Sequence, residues 1–301
     1  MVLELKQIAH IETPFRTKFG VPRQAGLVEA PCRVVFEPEF RVAEAVRGLE
    51  DFDYVWLLWG FHLNGLRDGE TSRHRDGETS RHQDFETSGL QDGETSRLQD
   101  EETSVGQDLK SRRLDVLKSA SWSPTVRPPR LGGNKRVGVF ATRSPNRPNP
   151  VGLSSVKLLG ISHEPGLGPV LTVAGADLVD GTPIYDIKPY VAYADSHEGA
   201  RSGFAAEAPR ELLSVSDPEG VLSVMPEDEA DALRKTLALD PRPHYQDDPE
   251  RVYGMEYGEY EVKFRVSGKI VVIVCLTHSS VSPERADSSP NVRGAARGDE
   301  C

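Results

Sequence analysis

The stretch RVGVFATRSPNRPNPVGL, residues 136–153, carries much of the information on fold and function in this sequence. Its apolar run 137–141 predicts a short strand, and a second apolar run begins at Val151. Between the two runs, prolines at positions 145, 148 and 150 fix their own φ angles and bias the preceding residues toward extended geometry. The sequence therefore predicts two strands joined by a stiff loop.

This loop presents two arginines, Arg143 and Arg147. A planar guanidinium group can donate two parallel hydrogen bonds to a carboxylate or a phosphate, and a stiff loop holds that group in a defined position. We expect the loop to bind an anion. The alternative is a surface loop whose arginines are simply solvated.

The charges of the chain are unevenly distributed, although its formal net charge over 301 residues is −11. Residues 122–157 contain no Asp or Glu and seven basic residues, which are Arg127, Arg130, Lys135, Arg136, Arg143, Arg147 and Lys157. Because salt screens each charge over a short distance, a local patch matters more than the total charge. This segment predicts an anionic ligand.

Short strands separated by turn signals make up most of the remaining pattern. We expect strands at 4–11, 33–36, 54–61, 151–161 and 169–174, a hairpin of 259–266 with 269–276, and helices at 42–49 and 227–239. The run 54–61 is apolar on both faces, which is typical of a buried strand. The inventory favours a mainly β protein, a barrel or a sandwich, with a small α+β appendage.

An eight-residue repeat interrupts this pattern. Aspartate recurs at positions 68, 76, 84, 92, 100 and 108 within units that are poor in apolar residues. Low hydrophobicity with dense mixed charge predicts disorder over residues 64–121. A metal site on His74 and His82 is the alternative, although the spacing of these residues fits no common metal site.

The predicted domain organisation follows from these composition changes. It consists of a β domain, a barrel or a sandwich, at 1–63 and 122–196, the insertion at 64–121, a linker at 197–225, a small α+β domain at 226–278, and a disordered tail at 279–301. The sequence Arg-Pro-Pro-Arg at 127–130 has the alternative reading of a polyproline ligand for an SH3-like partner.

Several polar residues outside the basic segment are candidates for the same site. The loop 13–24 is basic, and His62 follows the buried strand 54–61, where a structural role is the alternative. Asp180 and Asp186 flank a turn and can serve either in acid–base chemistry or as capping and pairing groups.

Other classes of protein find no support in the sequence. It has no signal-peptide pattern at its start and no apolar run of membrane-spanning length, so a soluble, cytoplasmic protein is expected. The glycine-rich dinucleotide motif, the P-loop, the zinc-protease motif and the hydrolase nucleophile motif are missing from it. Its three cysteines lack CxxC spacing, and we expect no metal.

The motifs described so far resemble those of the TrmO family, also called YaeB or TsaA-like. The matching pieces are PRQAGLV at 22–28, AVRGLEDF at 45–52, WLLWGFH at 56–62, PTVRPPRLGGN at 124–134, GVFATRSPNRPNPVGLS at 138–154, DLVDGTPIYDIKPY at 177–190 and DPRPHY at 240–245. They occur in the family's order and run through nearly all of the chain except the insertion and the tail. The chain departs from the family pattern at the insertion, where a short connection is usual.

The resemblance implies a barrel-like, non-Rossmann catalytic domain and a homodimer with cofactor sites near the subunit interface. The implied reaction uses S-adenosylmethionine to methylate N6 of threonylcarbamoyladenosine at position 37 of threonine tRNA. A noncatalytic RNA- or nucleotide-binding β-barrel that has kept the fold is the alternative.

The resemblance also implies site residues. Cofactor contacts are expected at Pro22, Arg23, Gln24, His62, Leu63, Arg143, Leu153, Ala174, Gly175, Ala176 and Asp177. Arg127, Arg130 and Arg147 are the candidates for tRNA phosphates and the threonyl carboxylate. Asp186 is the hypothetical general base.

Overall fold

The computed structural model describes residues 4–63, 122–128, 131, 135–206, 212–242 and 248–279. The predicted disordered insertion 64–121, nearly all of the predicted tail 279–301, and Arg130 lie outside the described residues.

Six antiparallel strands form a closed barrel, and they are β1 (Ala9–Glu12), β2 (Pro31–Phe36), β3 (Tyr54–Gly60), β6 (Val151–Glu164), β7 (Gly168–Ala174) and β8 (Thr182–Pro189). Their order around the barrel is β1-β2-β7-β6-β3-β8. The prediction of a mainly β, barrel-like domain is confirmed.

Strand β3 shows how the sequence builds the barrel core. Val55, Leu57 and Trp59 alternate along the strand and are at most 7% exposed, because every second side chain points into the barrel. The intervening Trp56 and Leu58 are half-buried on the outer face. The strand is hydrogen-bonded on both sides, to β6 and β8, which matches the expected buried strand.

The stretch at 136–153 is less extended than its sequence predicts. Only Val137–Gly138 (β5) is a strand, and it pairs with Thr125–Val126 (β4). The chain then turns in a 3-10 helix, Val139–Ala141. Thr142 closes this turn, since its N–H and its Oγ1 donate to the carbonyl of Val139 at 3.0 and 2.7 Å. The predicted strand 137–141 is therefore wrong beyond Gly138.

The predicted helix at 42–49 is also replaced by shorter turns. Ala43–Val46 and Leu49–Asp51 are separate 3-10 helices. Gly48 lies between them with φ of 84°, in the left-handed region that interrupts a continuous helix.

A second sheet forms the C-terminal part of the chain. It contains β9 (Ser214–Ser216), β10 (Tyr253–Tyr257), β11 (Tyr260–Ser267) and β12 (Ile270–His278) in the order β10-β11-β12-β9. The four-residue helix α1 (Ala192–Asp195) follows the barrel, and α2 (Glu227–Ala238) packs its buried Leu233 and Leu237 into the core of this sheet. The expected helix and hairpin are present.

The predicted linker 197–225 extends too far. Ser214–Ser216 pairs in parallel with β12, and Leu222 is buried in the C-terminal core. A strand of three residues has too short an alternation for sequence analysis to detect, and it forms here because β12 offers it an edge.

The connection between β1 and β2 joins the two cores. Phe15 is 1% exposed and packs edge-on against Tyr257 of the C-terminal sheet, with ring centroids 5.8 Å apart. The Gly258 N–H donates to the Pro14 carbonyl at 2.7 Å, and Val28 and Ala30 enter the same C-terminal core. Residues 13–30 are thus held by both sheets.

One end of the barrel collects the loops that carry most of the predicted site residues. The registers place Glu12, Pro31, Gly60, Val151, Ala174 and Thr182 at this end, which we call the upper end. The connections 13–30, 139–150 and 175–181 begin or end here. None of the helices in the described part of the chain is long and apolar enough to cross a membrane.

Candidate functional site

The upper-end loops meet at Arg143 and Gln24. The Arg143 Nη1 donates a hydrogen bond of 2.6 Å to Gln24 Oε1, across a sequence separation of 119 residues. Arg143 is exposed and Gln24 half-buried. Two residues that were assigned to one cofactor site from separate motifs are therefore in direct contact.

Asp177 connects this pair to the interior of the barrel. The Ser154 Oγ donates to Asp177 Oδ1 at 2.5 Å, and the Trp59 Nε1 donates to Ser154 Oγ at 3.0 Å. The backbone N–H of Ala25, next to Gln24, also faces the Asp177 carboxylate and lowers its pKa slightly.

The surroundings of Asp177 act on its protonation in opposite directions. Burial raises the pKa of Asp177 above its ordinary value. The hydrogen bond from Ser154, the backbone donors and the positive charge of Arg143 lower the pKa and offset part of this effect. The carboxylate is thus a partly desolvated acceptor at the point where the barrel wall meets two loops.

A backbone contact fixes the same two loops. The Gly26 N–H donates to the Gly175 carbonyl at 2.8 Å. Both glycines have positive φ, 79° and 86°, and a Cβ on Gly175 would lie 3.4 Å from the Gly26 backbone. Glycine adopts this left-handed backbone conformation without strain at both positions.

The segment 174–177 offers mainly backbone to a ligand. Ala174 and Ala176 are 4% and 1% exposed, so their side chains belong to the protein interior. Asp177 is half-buried and is the one residue of the predicted group 174–177 with a polar side chain. Any cofactor contact at the other three positions would therefore use N–H and C=O groups.

His62 lies at the upper end among charged loop residues. Its pKa is lowered by desolvation and by the positive charge of Lys18, and it is raised by Asp180 to a smaller extent. Asp180 accepts hydrogen bonds from the Thr13 N–H at 2.9 Å and from Arg16 Nη1 at 3.3 Å. These contacts agree with the alternative in which Asp180 is a pairing and capping group.

The remaining predicted cofactor residues differ in their exposure. Pro22 is buried, Arg23 and His62 are exposed, and Leu63 is half-buried. Leu153 is 53% exposed, and its register with Leu58 places it on the outer face of the barrel.

Asp186 lies apart from this cluster. It pairs in register with Leu58, and its Oδ2 is 2.6 Å from Lys188 Nζ. It also lines a cavity of about 420 Å³ with Phe36 and Pro189, at the end of the barrel opposite the upper end. Among the described residues, no hydrogen bond or ion pair joins it to Gln24, Arg143, Asp177 or His62.

The arginines assigned to tRNA also differ in their contacts. Arg147 is half-buried, and its Nη1 donates to the carbonyls of Thr142 at 3.2 Å and Ser144 at 3.4 Å, which braces its own loop. Arg127 is exposed, and Arg130 lies outside the described residues.

Sequence reasoning missed the residues that support the site. Trp59 and Ser154 contact each other inside the barrel, and neither was assigned a role there. A serine on the same face of the strand as the apolar Val156, two residues farther on, was the available signal. In the part of the chain that the structure describes, no group of three His, Cys, Asp or Glu side chains could hold a metal ion.

Family comparison adds to this geometry. The model of the tRNA-methyltransferase O N-terminal domain matches residues 10–86 and 111–196, and that of the TrmO C-terminal domain matches residues 206–279. The chain belongs to the TrmO family. This confirms the resemblance seen in the motifs and the expectation of an enzyme of the methyltransferase class.

Individual TrmO relatives match most of the chain. A protein of Escherichia coli K12 named tRNA (adenine(37)-N6)-methyltransferase is 34% identical over 274 residues, which are 88% of this chain and 93% of the relative. A protein of the same name from Eikenella corrodens is 47% identical over 154 residues, 51% of this chain and 86% of the relative. The crystal structure of TrmO from Pseudomonas aeruginosa superimposes with a TM-score of 0.61 at 26% identity, covering 92% of this chain and 99% of that one.

Proposed function

We propose that this protein uses S-adenosylmethionine to methylate N6 of threonylcarbamoyladenosine at position 37 of threonine tRNA. The observation that carries the proposal is the contact of Arg143 with Gln24 beside Asp177, at the barrel end where the acid-free segment 122–157 forms its loops. Membership of the TrmO family supports the proposal, and so does the name of the Escherichia coli relative, which specifies N6 of adenine 37.

The residues present fit S-adenosylmethionine. The guanidinium of Arg143 is suited to the methionine carboxylate, and Gln24 with the backbone of 174–177 offers donors and acceptors for the adenine. The carboxylate of Asp177 is a suitable partner for positive charge. A Pseudomonas aeruginosa relative, 35% identical over 272 residues, has the provisional name S-adenosylmethionine-dependent methyltransferase RcsF. When bound, the cofactor supplies an electrophilic methyl group.

The protein's own contribution to the reaction is positioning. Transfer of the methyl group requires N6 to lie in line with the bond between the methyl group and the cofactor sulfur. The rate should therefore depend mainly on a fixed position of the loop 13–30, proposed to hold the cofactor, relative to the loop 142–150, proposed to hold the tRNA. The hydrogen bonds from Trp59 through Ser154 to Asp177 supply that rigidity. Arg127, Arg130 and Arg147 are proposed to hold the tRNA phosphates and the threonyl carboxylate.

Removal of the N6 proton makes a small demand on the protein. The carbamoyl group withdraws electrons and acidifies this proton, so a weak base suffices. Asp186 as the general base stays a prediction, and its ion pair with Lys188 favours a structural role. If Asp186 is the base, Asp186→Asn should lose about 100-fold in single-turnover methylation rate while it still binds the cofactor, and a rate within about threefold of the wild type would remove Asp186 from that role.

The assembly and location of the protein are part of the proposal. The family resemblance implies a homodimer, and exposed apolar side chains on the outer barrel wall, such as Tyr54 and Leu153 at 43% and 53% exposure, are available to such a contact. A tRNA substrate implies a location in the cytoplasm.

Two measurements test the proposed function against a noncatalytic RNA-binding barrel. Titration calorimetry with S-adenosylmethionine should show saturable heat, and ligand at 100 times its dissociation constant should add about 2.7 kcal/mol to the free energy of unfolding. Transfer of labelled methyl groups should occur into threonine tRNA that carries the threonylcarbamoyl group and not into the same tRNA without it. Binding of RNA with neither heat nor methyl transfer would favour the noncatalytic barrel.

A further inference from the structure

Phe140 is a large apolar side chain held in solvent by a rigid turn. It is 74% exposed, whereas its neighbour Val139 is 1% exposed and anchors the turn in the protein. The Val139 N–H donates to the Pro124 carbonyl at 3.0 Å, and Thr142 closes the turn from the other side. The ring is thus presented outward by a backbone that is fixed on both sides.

Phe140 lies in a basic segment of the chain. The strand Val137–Gly138 leads directly into its turn and pairs with Thr125–Val126, and Arg127 and Arg136 lie at the end of this strand pair that points away from the turn. Arg143 follows the turn by two residues and contacts Gln24 on the loop 13–30. None of the described basic residues of 122–157 lies within 4 Å of a described carboxylate oxygen, so this surface keeps its positive charge.

A second exposed aromatic residue lies on the same segment. Trp122 is 49% exposed, and the N–H of the adjacent Ser123 donates to the Asn146 carbonyl at 3.2 Å. This hydrogen bond holds Trp122 next to the loop that carries Arg147. Two exposed aromatic rings therefore belong to the segment 122–157, which contains seven basic residues and no Asp or Glu.

Positive charge combined with exposed aromatic rings fits unpaired nucleic acid better than a protein partner. Aromatic side chains in basic grooves stack on the bases of single-stranded RNA, whereas the centres of protein interfaces are depleted in charge. We propose that Phe140 is a stacking platform for an unpaired nucleobase of the tRNA anticodon loop, beside the site at Arg143. This inference rests on the tRNA substrate of the proposed function and specifies how the loop is recognised.

The test compares four variants in binding to an unmodified anticodon stem-loop RNA of threonine tRNA, followed by fluorescence anisotropy without cofactor. Loss of one stacked base should weaken binding about 5- to 150-fold, so we expect that loss in Phe140→Ala and Phe140→Leu. Phe140→Trp keeps an aromatic face and should bind within about threefold of the wild type. Tyr193→Ala, which removes a ring that is 93% exposed on α1, is the matched control and should bind as the wild type does.

The dependence on salt separates stacking from charge. Phe140→Ala should leave the slope of log K against log salt unchanged, whereas Arg136→Ala should reduce it by about one. Calorimetry with S-adenosylmethionine should give the same affinity for Phe140→Ala and the wild type, which excludes misfolding.

Several results would overturn the inference. If Phe140→Leu bound RNA as tightly as the wild type, or Phe140→Ala changed the sedimentation of the protein, the ring would be an apolar protein contact. If the wild type methylated tRNA and Phe140→Ala bound RNA normally, the inference would fail and the proposed function would stand. RNA binding that depends on the Phe140 ring, without methyl transfer, would leave the inference standing and remove the proposed function.

Discussion

Arg143 is the residue on which the candidate site depends most. It lies on the loop 142–150, and its Nη1 reaches Gln24 on a loop that also belongs to the C-terminal core. A guanidinium group has five donors, so its contact with Gln24 leaves others for a carboxylate. The side chain can both join the two loops and bind an anion.

Replacement of Arg143 should therefore affect the cofactor more than the RNA. A hydrogen bond to a charged group contributes about 1.5–3 kcal/mol, so Arg143→Ala should weaken S-adenosylmethionine binding roughly 10- to 150-fold in calorimetry. Arg147→Ala, on the same loop, should weaken RNA binding instead. If the two effects were reversed, the assignment of the two arginines would be wrong.

The protonation of Asp177 makes the stability of the folded protein depend on pH. Burial raises its pKa, so the folded state binds the proton more tightly than the unfolded state. Stability is therefore lost as the pH rises from the ordinary aspartate pKa, about 3.8, through the raised value, and stays constant above it.

Asp177→Asn should remove this pH-dependent loss of stability, because an amide does not titrate in this range. The amide oxygen can still accept the hydrogen bond from Ser154. Urea unfolding at pH 7 should show a variant at least as stable as the wild type, and the difference should shrink toward pH 4. Its affinity for S-adenosylmethionine should nevertheless fall, because the carboxylate proposed to pair with positive charge on the cofactor is lost. A variant that is less stable at pH 7 and recovers at no pH would contradict this account.

At the scale of elements, β6 packs tightly against β3. A Cβ on Gly152 would overlap with the indole ring of Trp59, whereas a Cβ on Gly160, farther along β6, meets nothing within 4 Å. Because the Trp59 indole donates to Ser154, any shift of the ring would also disturb the contact with Asp177.

Gly152→Ala should consequently destabilise the protein and weaken the site together. Overpacking of this kind costs about 1–3 kcal/mol, which urea unfolding can measure, and calorimetry should show weaker cofactor binding. Gly160→Ala is the matched control and should change neither quantity. Equal stability of the two variants would show that the Trp59 ring can move freely.

The elements also show what the sequence could predict. Strand β3 was predictable because it is a long run that is apolar on both faces, and the helix Glu227–Ala238 because acidic residues in its first turn and basic residues farther on match the helix dipole. The turn at Val139–Ala141 was not, because a side-chain hydrogen bond from Thr142 ends the strand there.

The candidate site was predictable in its members and not in its contacts. The family motifs selected Gln24, Arg143 and Asp177, but only closure of the barrel shows that they meet. The support from Trp59 and Ser154 depends on which residues of β3 and β6 face each other, and the register of the strands determines that.

At the scale of the whole molecule, the loop 13–30, which carries Gln24, is shared between the two cores. Phe19 stacks on Phe264 of the C-terminal sheet, with ring centroids 6.5 Å apart, only five residues before Gln24. Arg16 Nε donates to the Gly258 carbonyl at 3.1 Å. The C-terminal sheet therefore supports a loop whose proposed ligand lies at the barrel.

The two cores should consequently unfold together. All three tryptophans, Trp56, Trp59 and Trp122, lie outside the C-terminal sheet, so their fluorescence reports on the barrel side. Phe264→Ala removes a fully buried ring from the C-terminal core, at a cost of about 3–5 kcal/mol. It should lower the midpoint of the tryptophan transition in step with that of circular dichroism. A tryptophan transition that does not move would show that the cores are independent.

The central claim is most directly tested by mass spectrometry of nucleosides. Threonine tRNA that carries threonylcarbamoyladenosine is incubated with the full chain and S-adenosylmethionine, and it is then digested to nucleosides. The account predicts that threonylcarbamoyladenosine is converted to its N6-methyl derivative, with little conversion by Arg143→Ala under the same conditions. Folded protein that binds the cofactor and leaves this nucleoside unmethylated would contradict it.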